Sequence, residues 1–106
     1  MLTSIQIHNL ATESAIKATN EYINQYGETF YCGFAWVHIV NGRCKFVNDL
    51  KKESNILSKN WKKSYDVWNP SKNCTQSMDA KEAGARAYAK VLMDNGIDCY
   101  MASRAD

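Results

Sequence analysis

The chain contains little that breaks or stiffens a backbone: one proline and five glycines in 106 residues. Low-complexity linkers and collagen-like repeats are thereby excluded. It also lacks a long apolar run. The longest candidate, Phe30 to Val40, is interrupted by Gly33 and His38 and falls short of the roughly 18–20 residues that span a bilayer. The opening MLTSIQIHNL has neither a basic region nor a clean apolar stretch, so no signal peptide and no membrane partner are expected. Charge of one sign is scarce too. Thirteen Lys and Arg oppose eleven Asp and Glu, a net +2, which excludes an acidic DNA mimic and a polycation that coats nucleic acid.

The usual catalytic signatures are missing as well. No phosphate loop, dinucleotide fingerprint or nucleophile elbow occurs. His8 and His38 have no Cys, His or Asp two to four residues away, so no metal site is signalled. Cys32 and His38 share a strand face, but six residues of strand hold them roughly 20 Å apart, far beyond dyad distance. The carboxylate pair Asp79 and Glu82 reads as a helix cap. Neither an enzyme nor a cofactor or metal is expected. Cys32, Cys44, Cys74 and Cys99 are spaced by 12, 30 and 25 residues, without a close C-x-x-C pair. They read as free, mostly buried thiols in a reducing cytoplasm.

What is present is the composition of an ordinary folded protein, 45% hydrophobic and 23% charged, long enough for a single compact domain over 1–106. Thr12 as N-cap and apolar residues at three- and four-residue steps predict a first helix that ends at Gly27. Thr29 to Val40 predicts a long strand closed by Asn41-Gly42, and Arg43 to Glu53 a short helix. Ser54 to Asn60 reads as a loop, and Lys62 to Trp68 as a second strand. Asp79 and Glu82 would cap a helix over Ala80 to Leu92, stopped by Asn95-Gly96, with a last strand over Ile97 to Ala102. The expected architecture is α+β or α/β: a small three-stranded sheet and three helices in the order α-β-α-β-α-β. Ser103 to Asp106 would end hard against that strand, completing a small protein.

Alternation gives the first strand two faces. Tyr31, Gly33, Ala35, Val37 and Ile39 form one, small at its centre, and the small strip Ala80, Ala83, Gly84, Ala87 and Val91 of the last helix is expected to pack there. The other carries Phe30, Cys32, Phe34, Trp36 and His38. Two readings of it stay open: a second core face under the first or second helix, or the floor of a pocket. A mixed form puts Phe30 and Phe34 in the core, with Trp36 and His38 near an edge.

The net charge hides a segregation. Residues 1–42 carry −2, residues 43–72 carry +5 and residues 73–106 carry −1. The basic middle also holds Phe46, Trp61, Tyr65 and Trp68, and cations among aromatics suit ligands with both a phosphate and a ring. A solvated lysine face beside core tryptophans is the plainer reading. Arg43 and Arg104 are the better phosphate candidates, because guanidinium binds bidentately. The loop Trp68 to Ser77 supplies an aromatic and small polar residues before a helix N-terminus, which attracts anions.

The segments Cys32-Gly33-Phe34-Ala35-Trp36-Val37, Trp68-Asn69-Pro70-Ser71, Gln76-Ser77, Lys81-Glu82-Ala83-Gly84-Ala85 and Ser103-Arg104-Ala105-Asp106 resemble a family of small bacteriophage-encoded proteins without an established activity. The resemblance runs from about Thr29 to the C-terminus and supplies no catalytic residues. The chain departs from it at Glu53 to Asn60, where a shorter, glycine-bearing link is expected. It implies an accessory protein acting in the cytoplasm of a host bacterium, a class in which some members bind host factors or sequester nucleotide signals of host defence. The expectation is a non-catalytic binder of a small phosphate-bearing ligand such as a nucleotide, held by Trp36, Arg43, Trp68, Asn69, Ser71, Gln76 and Arg104. The alternatives are a nucleic-acid-binding module using residues 43–72, or an inhibitor of a host protein. A homo-oligomer is left open.

Overall fold

The computed structural model describes residues 2–27, 32–53, 56–59, 64–72 and 77–105. They form α1 (Ser4–Tyr26), β1 (Gly33–Ile39), α2 (Lys45–Leu50), β2 (Ser58–Lys59), β3 (Tyr65–Trp68), α3 (Met78–Asp94) and β4 (Cys99–Ala105). The class is α+β as expected, but the sheet has four antiparallel strands in the order β2-β3-β1-β4. The extra strand, β2, lies inside the stretch that reads as a loop. Two residues carry no period, so only pairing with β3 reveals it. From β1 onward the connectivity and strand order are those of the split β-α-β arrangement, with α1 added in front.

α1 starts nine residues earlier than Thr12 would place it. Thr3 is the N-cap: its hydroxyl accepts from the Gln6 amide while the Gln6 side chain accepts from the Thr3 amide, a capping box. Gly27 ends the helix at φ 73°, its amide donating to Ile23 O. Ser77, not Asp79, caps α3, accepting from the Ala80 amide at 3.3 Å, and Asp79 sits in the first turn. Glu82 is then freed to accept from Ser103 of β4 and to lie beside Arg86. β4 runs to Ala105, so Ser103 and Arg104 belong to the sheet.

The inward residues Ala35, Val37, Ile39, Val67 and Cys99 join Ile7, Ala11 and Ala15 of α1, Phe46, Val47 and Leu50 of α2, and Ala85, Tyr88, Ala89 and Leu92 of α3 in a hydrophobic core. All three helices therefore lie on the same side of the sheet. α3 does lie against Gly33, where an added Cβ would come within 2.6 Å of both Met78 Sδ and Arg104 O. Gly84, however, faces α1 instead of the sheet. A Cβ there would collide with Thr19 Oγ1 and come within 3.1 Å of Ser71 Cβ and 3.2 Å of Ala15 O.

α1 and α3 are antiparallel and carry two buried polar contacts. Thr19 Oγ1 donates to Ala80 O at 3.0 Å, and His8 Nδ1 lies 2.7 Å from the Tyr88 hydroxyl. Burial, helped by the charge of Lys72, lowers the His8 pKa, and burial pushes the Tyr88 hydroxyl up. Ser4 Oγ donates to Asp49 at 2.6 Å, tying the start of α1 to α2. With Lys45, it holds the Asp49 carboxyl below its usual range. Among the described cysteines only Cys99 is buried, where burial and Asp98 raise its thiol to about 11. Cys32 is exposed and Cys44 half-buried, so thiol burial is less general than expected. Among the described residues no helix is long and apolar enough to cross a membrane.

Candidate functional site

With the helices on one face, the other face of the sheet presents the even-numbered side chains of β1. Register then decides who meets whom. Trp36 stands opposite Trp68 on β3 and Ala102 on β4, Phe34 opposite Arg104, and His38 opposite both Asp66 and Tyr100. The Trp36 and Trp68 rings stack at 4.5 Å with 25° between planes, and Phe34 meets Trp68 edge-on at 6.4 Å and 72°. Ala102 contributes only a methyl beside Trp36. Phe34 is 39% exposed, Trp68 43% and Tyr100 53%. Because β1 and β3 are the central strands, these rings form a platform at the middle of the sheet.

Two cations border it. Lys81 Nζ lies 5.5 Å and Arg104 Cζ 5.7 Å from the Phe34 ring centre, within cation–π range. Lys81 reaches across from α3 and is anchored by donating to Gly33 O at 3.0 Å. On the opposite flank His38 Nδ1 is 2.8 Å from Asp66 Oδ1, with the imidazole 5.0 Å from the Tyr100 ring. The carboxylate fixes the imidazole orientation. Flat π-faces bordered by guanidinium and ammonium groups can hold a planar ring and an adjacent phosphate.

Of the site residues read from sequence, Trp36, Trp68 and Arg104 come together here. Asn69 sits at the margin, at φ 42°, its amide donating to Ala35 O at 3.0 Å. Ser71 does not join them, because it is buried on the helix side against Gly84. Arg43 is also elsewhere, beyond the far end of β1, lining a cleft of about 410 Å³ with Lys51, Lys59 and Tyr65. Gln76 and Trp61 lie outside the described residues, as do Phe30 and Cys74.

Placing Phe34 in the core is overturned by its exposure, and Trp36 and His38 are on a central strand, not near an edge. Sequence reasoning missed Lys81, Tyr100 and the His38–Asp66 pair as parts of this surface. Alternation along a β4 extended to residue 105 would have aligned Tyr100, Ala102 and Arg104, but the partners across the register are non-local. A second cavity, about 400 Å³ and mostly apolar, opens between Leu2 and Ile7 of the α1 region, Phe46 and Ile97. No sequence signal marked it. Comparison with family models, with curated proteins and with solved structures finds no match to this chain.

Proposed function

We propose that this protein binds single-stranded nucleic acid, without catalysis, on the open face of its sheet. The observation that carries the reading is the aromatic platform of Phe34, Trp36 and Trp68 on the two central strands, bordered by Arg104 and Lys81. One class of RNA-binding module stacks unpaired bases on aromatics of a four-stranded sheet, and such stacking tolerates any sequence because every base has a π-face. The resemblance here is one of physical plan, so the function rests on the site. The openness of the platform favours an extended strand over the small phosphate-bearing ligand expected from sequence, since a pocket for a small molecule buries most of it.

The test is titration of the protein's tryptophan fluorescence with a single-stranded oligonucleotide, the matching duplex and free mononucleotides at fixed ionic strength. Quenching by the single strand, weak response to the duplex and binding that falls with salt are expected. A response to mononucleotides equal to that of the strand would return the reading to a small ligand. No response to any of them would remove nucleic acid altogether.

A further inference from the structure

The cleft that holds Arg43 is unusual in its charge. Four basic side chains on the helices sit beside acids one turn away: Lys17 with Glu21, Lys45 with Asp49, Arg86 with Glu82 and Lys90 with Asp94. Arg43, Lys51 and Lys59 make no ion pair with any described residue, yet the fold gathers them around one concavity of about 410 Å³ that no described carboxylate lines. They come from three elements. Arg43 follows the Asn41-Gly42 turn, where the Asn41 side chain accepts from the Arg43 amide at 2.9 Å. Lys51 caps the end of α2. Lys59 is on β2, paired with Tyr65, and Lys51 Nζ stands 5.0 Å from the Tyr65 ring centre.

Three like charges brought together repel one another, and a bound anion reverses the sign of that interaction. A guanidinium that can bind two oxygens, together with two ammonium groups lining the same cleft, is a donor set for a phosphate. We infer that this cleft is a phosphate-binding site, distinct from the aromatic platform and independent of it. The phosphate belongs either to a small phosphorylated compound or to a nucleic-acid backbone.

Titration of the full-length chain with inorganic pyrophosphate and with oligothymidylates of increasing length, followed by amide NMR shifts, tests this. Pyrophosphate is expected to shift Gly42, Arg43, Lys59 and Tyr65, and to bind at least about tenfold more weakly to Lys51→Glu/Lys59→Glu. The milder Lys51→Gln and Arg43→Lys should each give a smaller loss, and Trp68→Leu on the platform should give none. Shifts from pyrophosphate alone would assign the site to a small phosphorylated ligand. The same shifts from the longer oligonucleotides would assign it to a strand's backbone. The inference is overturned if pyrophosphate leaves these amides unmoved, or if charge reversal leaves its affinity unchanged. Either result can occur whether or not strands bind the platform, so the two readings fail separately.

Discussion

Replacing Trp68 with leucine separates the ring's proposed role in binding from its role in folding. Leucine keeps an apolar side chain on β3 but removes the π-face that stacks on Trp36 and the edge that meets Phe34. Each aromatic pair is worth about 0.5–1.5 kcal/mol beyond area burial, so losing two costs about 1–3 kcal/mol of folding free energy. A domain commonly has about 5–15 kcal/mol, and the variant stays folded at 25 °C. For binding, one stacked base contributes about 1–3 kcal/mol, which corresponds to a roughly 5- to 150-fold rise in Kd. Trp68→Phe retains a face and should lose only a small part of this. The assay is fluorescence anisotropy of a labelled single-stranded oligonucleotide at constant salt, with circular dichroism and a thermal melt on the same samples. A folded Trp68→Leu that binds within twofold of the unmodified protein refutes stacking on this face.

Three more outcomes are expected. Arg104→Gln should flatten the dependence of log K on log salt by about 0.7, the value for one phosphate contact to a single strand; an unchanged slope means Arg104 touches no phosphate. Gly84→Ala should destabilise the fold, because overpacking costs about 1–3 kcal/mol while helix propensity returns only about 1 kcal/mol. Thr19 is fully buried and stiff, and its hydroxyl is already committed to Ala80 O. Adding Thr19→Ala should therefore recover part of the loss in a urea melt, and strict additivity would contradict the contact. The third concerns pH. His8 has a folded pKa below its ordinary 6.5, so the unfolded chain binds the extra proton more readily. That contribution to stability is complete above pH 6.5 and declines as pH falls below it toward the folded pKa. The melting temperature should drop between pH 7.5 and 5, and His8→Leu/Tyr88→Phe, which removes both buried polar partners, should flatten that drop.

Much of this fold was legible because it is written locally. Alternation sorted the described side chains of β1 onto its two faces, and Gly27 and Asn95-Gly96 stop α1 and α3 as their chemistry dictates. The errors are of another kind. The Thr3-x-x-Gln6 box is as local as any signal, yet the polar residues between Leu2 and Leu10 mask an amphipathic stripe that becomes clear only when Ser4 and His8 prove buried. Gly84 could face either a sheet or a helix, and only the α1–α3 pairing decides. Arg43 and Trp36 are seven positions apart in sequence, but the strand carries one to the centre of the platform and the turn carries the other past its end. For the platform, sequence singled out Trp36, Trp68 and Arg104, which the sheet brings onto one face. Which of them meet depends on register between strands distant in the chain.

Placing every helix on one side divides the labour of this small sheet. One face carries the packing that stability depends on, and the other carries side chains whose loss costs the fold comparatively little. Positions 34, 68, 100 and 104 can therefore be rewritten to change the chemistry of the open face while the core sequence is left alone. Gly33 and Lys81 are where that freedom ends. Gly33 has no room for a side chain between Arg104 and Met78, and Lys81 stretches from the helix layer to the Phe34 ring on the open face. A redesigned or selected variant should keep both and vary the rest.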